Sequence, residues 1–189
     1  LRPRLLLFSI GPVQDFIAAA RSTRDLWSGS YLLSYLVSTA LGQIAKELGP
    51  DQVIFPNLLD QPLIDHQLSD DVYNKSTFNG NPIAEGFGYK EKDRNLSKLL
   101  TPSLPNRFLA LVPARMPGSD QPIEEYARGL VEDTKDKLFN IANSVRKHVT
   151  ENNDRKAVSF DASTFDIQTE HLLEAHWQTP PGSIRWLVG

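Results

Sequence analysis

Apolar and polar positions along this chain change period several times, and each change marks an element. Residues 5–10, "LLLFSI", form a short apolar run stopped by Gly11-Pro12, which predicts a buried strand. Pro12 suits the start of a helix, where a missing N–H costs nothing. Val13, Phe16, Ile17 and Ala20 then recur at helical spacing, and Asp15 falls in the first turn, where the helix dipole favours an acid. Trp27-Ser28-Gly29-Ser30 interrupts this pattern and predicts a kink. A second helical stretch follows with Leu33, Leu36, Val37, Ala40, Ile44 and Leu48 in phase, and Gly49-Pro50 ends it.

Residues 52–56, "QVIFP", and 107–113, "RFLALVP", predict two further strands. Residues 57–105 between them are rich in Asn, Asp, Gly and Pro and read as a long irregular insertion, with one short helix near 96–100. Stretches that long are uncommon in compact domains unless they bind something or are disordered. An amphipathic helix is predicted over 122–150, a further one over 163–176 capped by Asp161 or Ser163, and a last strand at "SIRWLV". With the insertion and the extra helix set aside, the order is β-α-β-β-α-β. That predicts an α+β, ferredoxin-like fold. Its first and third strands are antiparallel neighbours, so the insertion and the Gly11 turn share one end of the sheet.

Composition narrows this picture. At 189 residues, 40% hydrophobic and 23% charged, the chain suits a single folded domain over 1–189. "LRPRLLLFSI" has the charge of a signal peptide, but its apolar part is too short and no cleavage site follows. The missing initiator Met reads as a piece of a larger chain. No apolar run reaches the roughly 20 residues of a membrane span, so no membrane partner is expected. The absence of Cys removes disulfides and Cys-ligated zinc and fits a cytoplasmic location. A net charge of −3 excludes an overall basic nucleic-acid footprint. RNA contact would need a local patch or a partner protein.

Three blocks, "FSIGPVQDFIAAARSTRDLWSGSYLLSYL", "VIFPNLLDQPLID" and "LPNRFLALVP", together resemble the large palm-containing subunit of type III-B (Cmr-type) CRISPR effectors. This is the Cmr-two branch of the Cas-ten family, and the likeness is to its first palm. The resemblance implies an RNA-guided antiviral complex holding CRISPR RNA and target RNA, in which ATP is joined into cyclic oligoadenylate. Members typically carry a nuclease domain with a His-Asp motif and a second palm with a Gly-Gly-Asp-Asp metal turn. Here no His precedes Asp and no two glycines are adjacent. Cyclase-type palms usually carry Asp-x-Asp where the first strand ends, and Ser9 and Gly11 stand there instead. The resemblance therefore implies a degenerate palm that holds no metal alone, has no catalytic residue of its own, and borders a composite ATP site completed by the second palm. The alternative is a scaffold that binds partner subunits or guide RNA without touching nucleotide.

Each candidate residue has a plainer reading. Gly11-Pro12 is either a tight turn or a place where backbone approaches a nucleotide at a helix N-terminus. Gln14 is a surface residue or a base or ribose contact. Ser28, Gly29 and Ser30 are a capped kink or, as the resemblance implies, a small-residue wall of the nucleotide pocket, with Ser30 the foremost ligand. Arg21 and Arg24 suit a solvated face, Arg21 being spaced to pair with Asp25. Asn106 and Arg107 suit a strand cap. Asp65-His66 with Asp70 and Asp71 suits an acidic loop, having no metal-ligand spacing. His171 and His176 receive no role, and Trp27 and Trp177 read as core or interface anchors.

Overall fold

Alternation within the first strand sets the sheet. The computed structural model describes residues 3–68, 77–78, 81–82, 99–151 and 161–180. Its elements run β1 (Pro3–Gly11), α1 (Val13–Ala18), α2 (Thr23–Glu47), β2 (Val53–Phe55), α3 (Pro62–Leu68), β3 (Thr77–Phe78), β4 (Asn81–Pro82), β5 (Arg107–Pro113), α4 (Ile123–Glu151), α5 (Ala162–Leu172) and β6 (Glu174–Gln178). Leu6, Phe8 and Ile10 point inward and are at most 2% exposed. In β5 the inward set is Phe108, Ala110 and Val112. Phe8 and Phe108 are directly paired and their rings stack at 4.9 Å.

The four-stranded sheet has the order β2-β5-β1-β6 with every neighbour antiparallel, which is the ferredoxin-like arrangement. The expected fold class stands. The helix expected over 163–176 is a correction: α5 stops at Leu172, and β6 occupies Glu174–Gln178, overlapping the end of that stretch. The reason is a period-two alternation, with Ala175 and Trp177 turned to the core and Glu174, His176 and Gln178 to solvent. "SIRWLV" lies outside the described residues.

Two long helices cover one face. Leu36, Val37, Leu41 and Ile44 of α2 and Ile123, Ala127 and Leu130 of α4 close the core over Phe8 and Phe108. The expected kink at residues 27–30 is absent, since α2 runs unbroken through them. The break falls earlier, at Ser22, whose hydroxyl caps α2 by accepting from the N–H of Asp25 at 3.2 Å. Residues 57–68 also differ from an irregular insertion. There α3 buries Leu63, Ile64 and Leu68 against α2, and Gln67 donates to Ser38 Oγ at 2.8 Å beside Gly42, where the bare backbone admits it. The expected helix near 96–100 falls mostly outside the described residues.

The helices outrun the sheet. At 29 residues α4 is about 43 Å long, against about 23 Å for the seven residues of β5. The start of α2 and the end of α4 both project past the Gly11 end, leaving Leu26, Trp27, Val145 and Val149 exposed. Among the described residues no helix is long and apolar enough to cross a membrane.

Removing the stacked ring tests this layering. Phe108→Ala should lower the unfolding free energy by about 3–5 kcal/mol in urea melts. Leu7→Ala, on the opposite face, should cost well under half as much, because Leu7 is already 37% exposed. Equal losses would mean that both faces are packed.

Candidate functional site

Where β1 ends, the chain turns through Pro12 into the short α1 and reverses into α2. This turn and the end of α5 enclose an open cleft of about 610 Å³, a size suited to a nucleotide or similar small molecule. Its floor is apolar and small: Pro12, Ala19, Ala20 and Leu32. Gly29 and Ser28 form one wall and His171 with Leu172 the other, while Asp25 stands at the rim.

The structure thus gathers part of the expected set. Ser28 and Gly29 line the cleft, and the Ser28 hydroxyl has no hydrogen-bond partner among the described residues. Gly11 sits beside it at the end of β1, and a side chain there would meet nothing within 4 Å. Ser30 is placed differently from the expectation. It is absent from the lining, and its hydroxyl donates to the Leu26 carbonyl at 2.9 Å within the helix. Gln14 is exposed on α1, outside the cleft lining. With six residues, α1 is also too short to present the dipole expected to attract phosphate.

Charged neighbours resolve individually. The Asp25 carboxylate accepts from the backbone N–H of Arg21 at 3.2 Å, so the contact between the two residues runs to the backbone just before the Ser22 cap rather than between their side chains. Arg24 and Trp27 are exposed; the Trp27 ring stacks on Tyr31 at 5.8 Å, whereas Trp177 packs against the core. Asn106 is more than a strand cap. Its side-chain amide donates to the Ile10 carbonyl at 3.0 Å and its backbone carbonyl accepts from the Ile10 N–H at 2.9 Å. Asp65 and His66 lie in α3, and Asp70 and Asp71 lie outside the described residues. Among the described residues no group of three or more His, Asp or Glu is placed to hold a metal ion.

His171 is the site residue that sequence reasoning missed. It reaches the cleft only because α5 folds back over a turn far away in sequence, and no local pattern announces that. Asp161 secures this wall. Its carboxylate accepts from the hydroxyls of Thr164 at 2.6 Å and Ser163 at 2.8 Å and from the Ser163 N–H at 3.0 Å. The Thr164 and Ser163 bonds hold its pKa down, at about 2. Because the folded pKa lies below the unfolded one, the cap is fully present above about pH 4 and is lost as pH falls through about 2. Asp161→Ala should therefore lower amide protection factors in α5 at neutral pH, and the difference between the two proteins should shrink as pH falls toward about 2. Equal exchange in α5 of both proteins would show that the cap does not hold the wall.

A family model described as "CRISPR-associated protein Cmr2, N-terminal" matches residues 5–154. A curated relative, the CRISPR system Cmr subunit Cmr2 of Pyrococcus furiosus, is 52% identical over 60 residues, covering 32% of this chain and 7% of the relative. The CRISPR system CMR subunit Cmr2 of Saccharolobus solfataricus is 35% identical over an 89-residue alignment covering 39% of this chain and 8% of the relative. These matches span less than a tenth of either relative's length. A solved structure, the apo state of type III-B Cmr-beta by cryo-electron microscopy, matches 95% of this chain and 19% of its own with a TM-score of 0.64. At 21% identity it shows a shared fold.

Proposed function

The chain belongs to the Cmr2 N-terminal family, and from that premise we propose that it is the first palm of a type III-B CRISPR large subunit and forms one wall of a composite ATP site. The observation that carries this reading is the cleft at the Gly11 end, which joins Pro12, Ser28 and Gly29 to His171. Its apolar floor suits a purine ring, which stacks on Pro12 and Leu32. The Ser28 hydroxyl and the His171 imidazole supply hydrogen bonds at the edge. Nucleotidyl transfer also needs divalent cations against the triphosphate. In this reading the second palm brings the carboxylates for them, and this half positions one nucleotide against the other.

Assembly has its own support. The sheet face opposite the helices carries Leu5, Leu7, Leu109 and Leu111, with Phe55 about half exposed at its edge. An antiparallel sheet that faces water normally turns polar side chains to it. A leucine-rich face suits burial against another domain or subunit. We place the companion palm and the other subunits of the complex, with CRISPR RNA and target RNA, among its partners. The exposed Trp27 favours the scaffold reading, since an unburied indole suits a protein anchor.

Gly29→Leu separates the two, because it fills the cleft and favours the helix. In the whole subunit with its partners, cyclic oligoadenylate synthesis should fall at least about tenfold while assembly persists, the factor expected when one nucleotide subsite is blocked. Failed assembly would favour the scaffold, and unchanged synthesis would remove the cleft from the site. The chain alone should form no cyclic oligoadenylate, and ATP conversion by it would overturn the proposal.

A further inference from the structure

A second open groove, of about 540 Å³, runs along α2 between α3 and α4 and shares no lining residue with the cleft. Leu63 and Leu68 of α3 are buried at its floor, where Gly42 lets α2 come close to Gln67. From α2 come Tyr31, Tyr35 and Lys46, and from α4 comes Lys137. Among the described residues no carboxylate lines the groove, although acids outnumber Lys and Arg by 23 to 20 in the whole chain. Asp133, one turn before Lys137 on α4, is engaged by Gln43, whose Nε2 donates to it at 2.7 Å.

Three donors here lack an acceptor. The rings of Trp27, Tyr31 and Tyr35 stack one on the next at 5.8 and 6.2 Å, and the Lys137 ammonium lies 5.4 Å from the Tyr35 ring centre. Among the described residues that cation has no carboxylate partner, and neither phenol hydroxyl has a hydrogen-bond partner. Burial first, and the adjacent Tyr35 phenol second, raise the Tyr31 pKa, so its hydroxyl stays protonated and able to donate. Single-stranded nucleic acid binds aromatic grooves by laying its bases on open ring faces. Here the faces of Tyr31 and Tyr35 are taken by their neighbours, and the rings offer edges and hydroxyls instead. A carboxylate accepts hydrogen bonds only and carries the complementary charge, so it suits this donor set.

We propose that this groove docks an acidic segment of a partner subunit, with carboxylates on Lys137 and the two phenols and an apolar side chain on the leucine floor. Trp27, 45% exposed at the end of the same aromatic row, extends the contact beyond the groove. The proposal takes from the assembly reading above only that partner subunits are present, and it does not involve the cleft.

Photocrosslinking in the assembled complex tests it. The photoreactive residue p-benzoylphenylalanine replaces Lys46, an exposed lining position, in the whole subunit with its partner subunits, and mass spectrometry reads the crosslinked peptide. The expected product is one partner segment in which Asp or Glu flanks an apolar residue. Lys137→Gln should lower the crosslink yield at least about fivefold and Lys137→Arg less than about twofold, with melting temperature unchanged in both. A crosslink to RNA, or to a segment without acids, overturns the proposal. So does a complex that assembles without a crosslink, or a yield indifferent to Lys137→Gln. Each of those results leaves the assembly reading standing. Wild-type subunits that fail to assemble remove that reading, and the groove's occupant with it.

Discussion

The pairing of β1 with β5 is the constraint on which the rest of the molecule depends. "LLLFSI" and "RFLALV" are apolar on both faces, so hydrophobicity alone separates inside from outside poorly. A slip by one residue would exchange leucine for phenylalanine and lose little burial. The stacked rings of Phe8 and Phe108 and the two hydrogen bonds between Asn106 and Ile10 choose the register instead. Everything at the Gly11 end inherits that choice. The cleft beside Pro12 hangs from the last residues of β1.

Much of the architecture was legible from residue pattern. Strong helical periodicity and two short apolar runs are local signals, and they led to the right topology. What failed was more local still. The Trp27-Ser28-Gly29-Ser30 segment resembles a breaker, but helix packing downstream holds it in register and the Ser30 hydroxyl satisfies itself on the Leu26 carbonyl. Glu174–Gln178 has a period-two alternation that went unread because a helical pattern ran into it. The helix expected over 163–176 therefore ends early, and its last residues belong to a strand.

The site was legible only in part, for a different reason. Ser28 and Gly29 were singled out through the family resemblance, and they line the cleft. His171 joins the cleft only through contacts between distant segments, and no spacing in one sequence encodes that. The family resemblance rested on long contiguous blocks and belongs to the part of the chain that the family model also matches.

The disproportion between α4 and the sheet carries the end of the helix beyond the strands, where it meets α5. Its last turns stand clear of the core, and Arg146 there grips α5 through Asp166 at 2.9 Å and lies over the Phe165 ring at 5.6 Å. The far wall of the cleft is the end of that same α5. The overhang of α4 thus braces α5, and with it the far wall of the cleft, from outside the sheet.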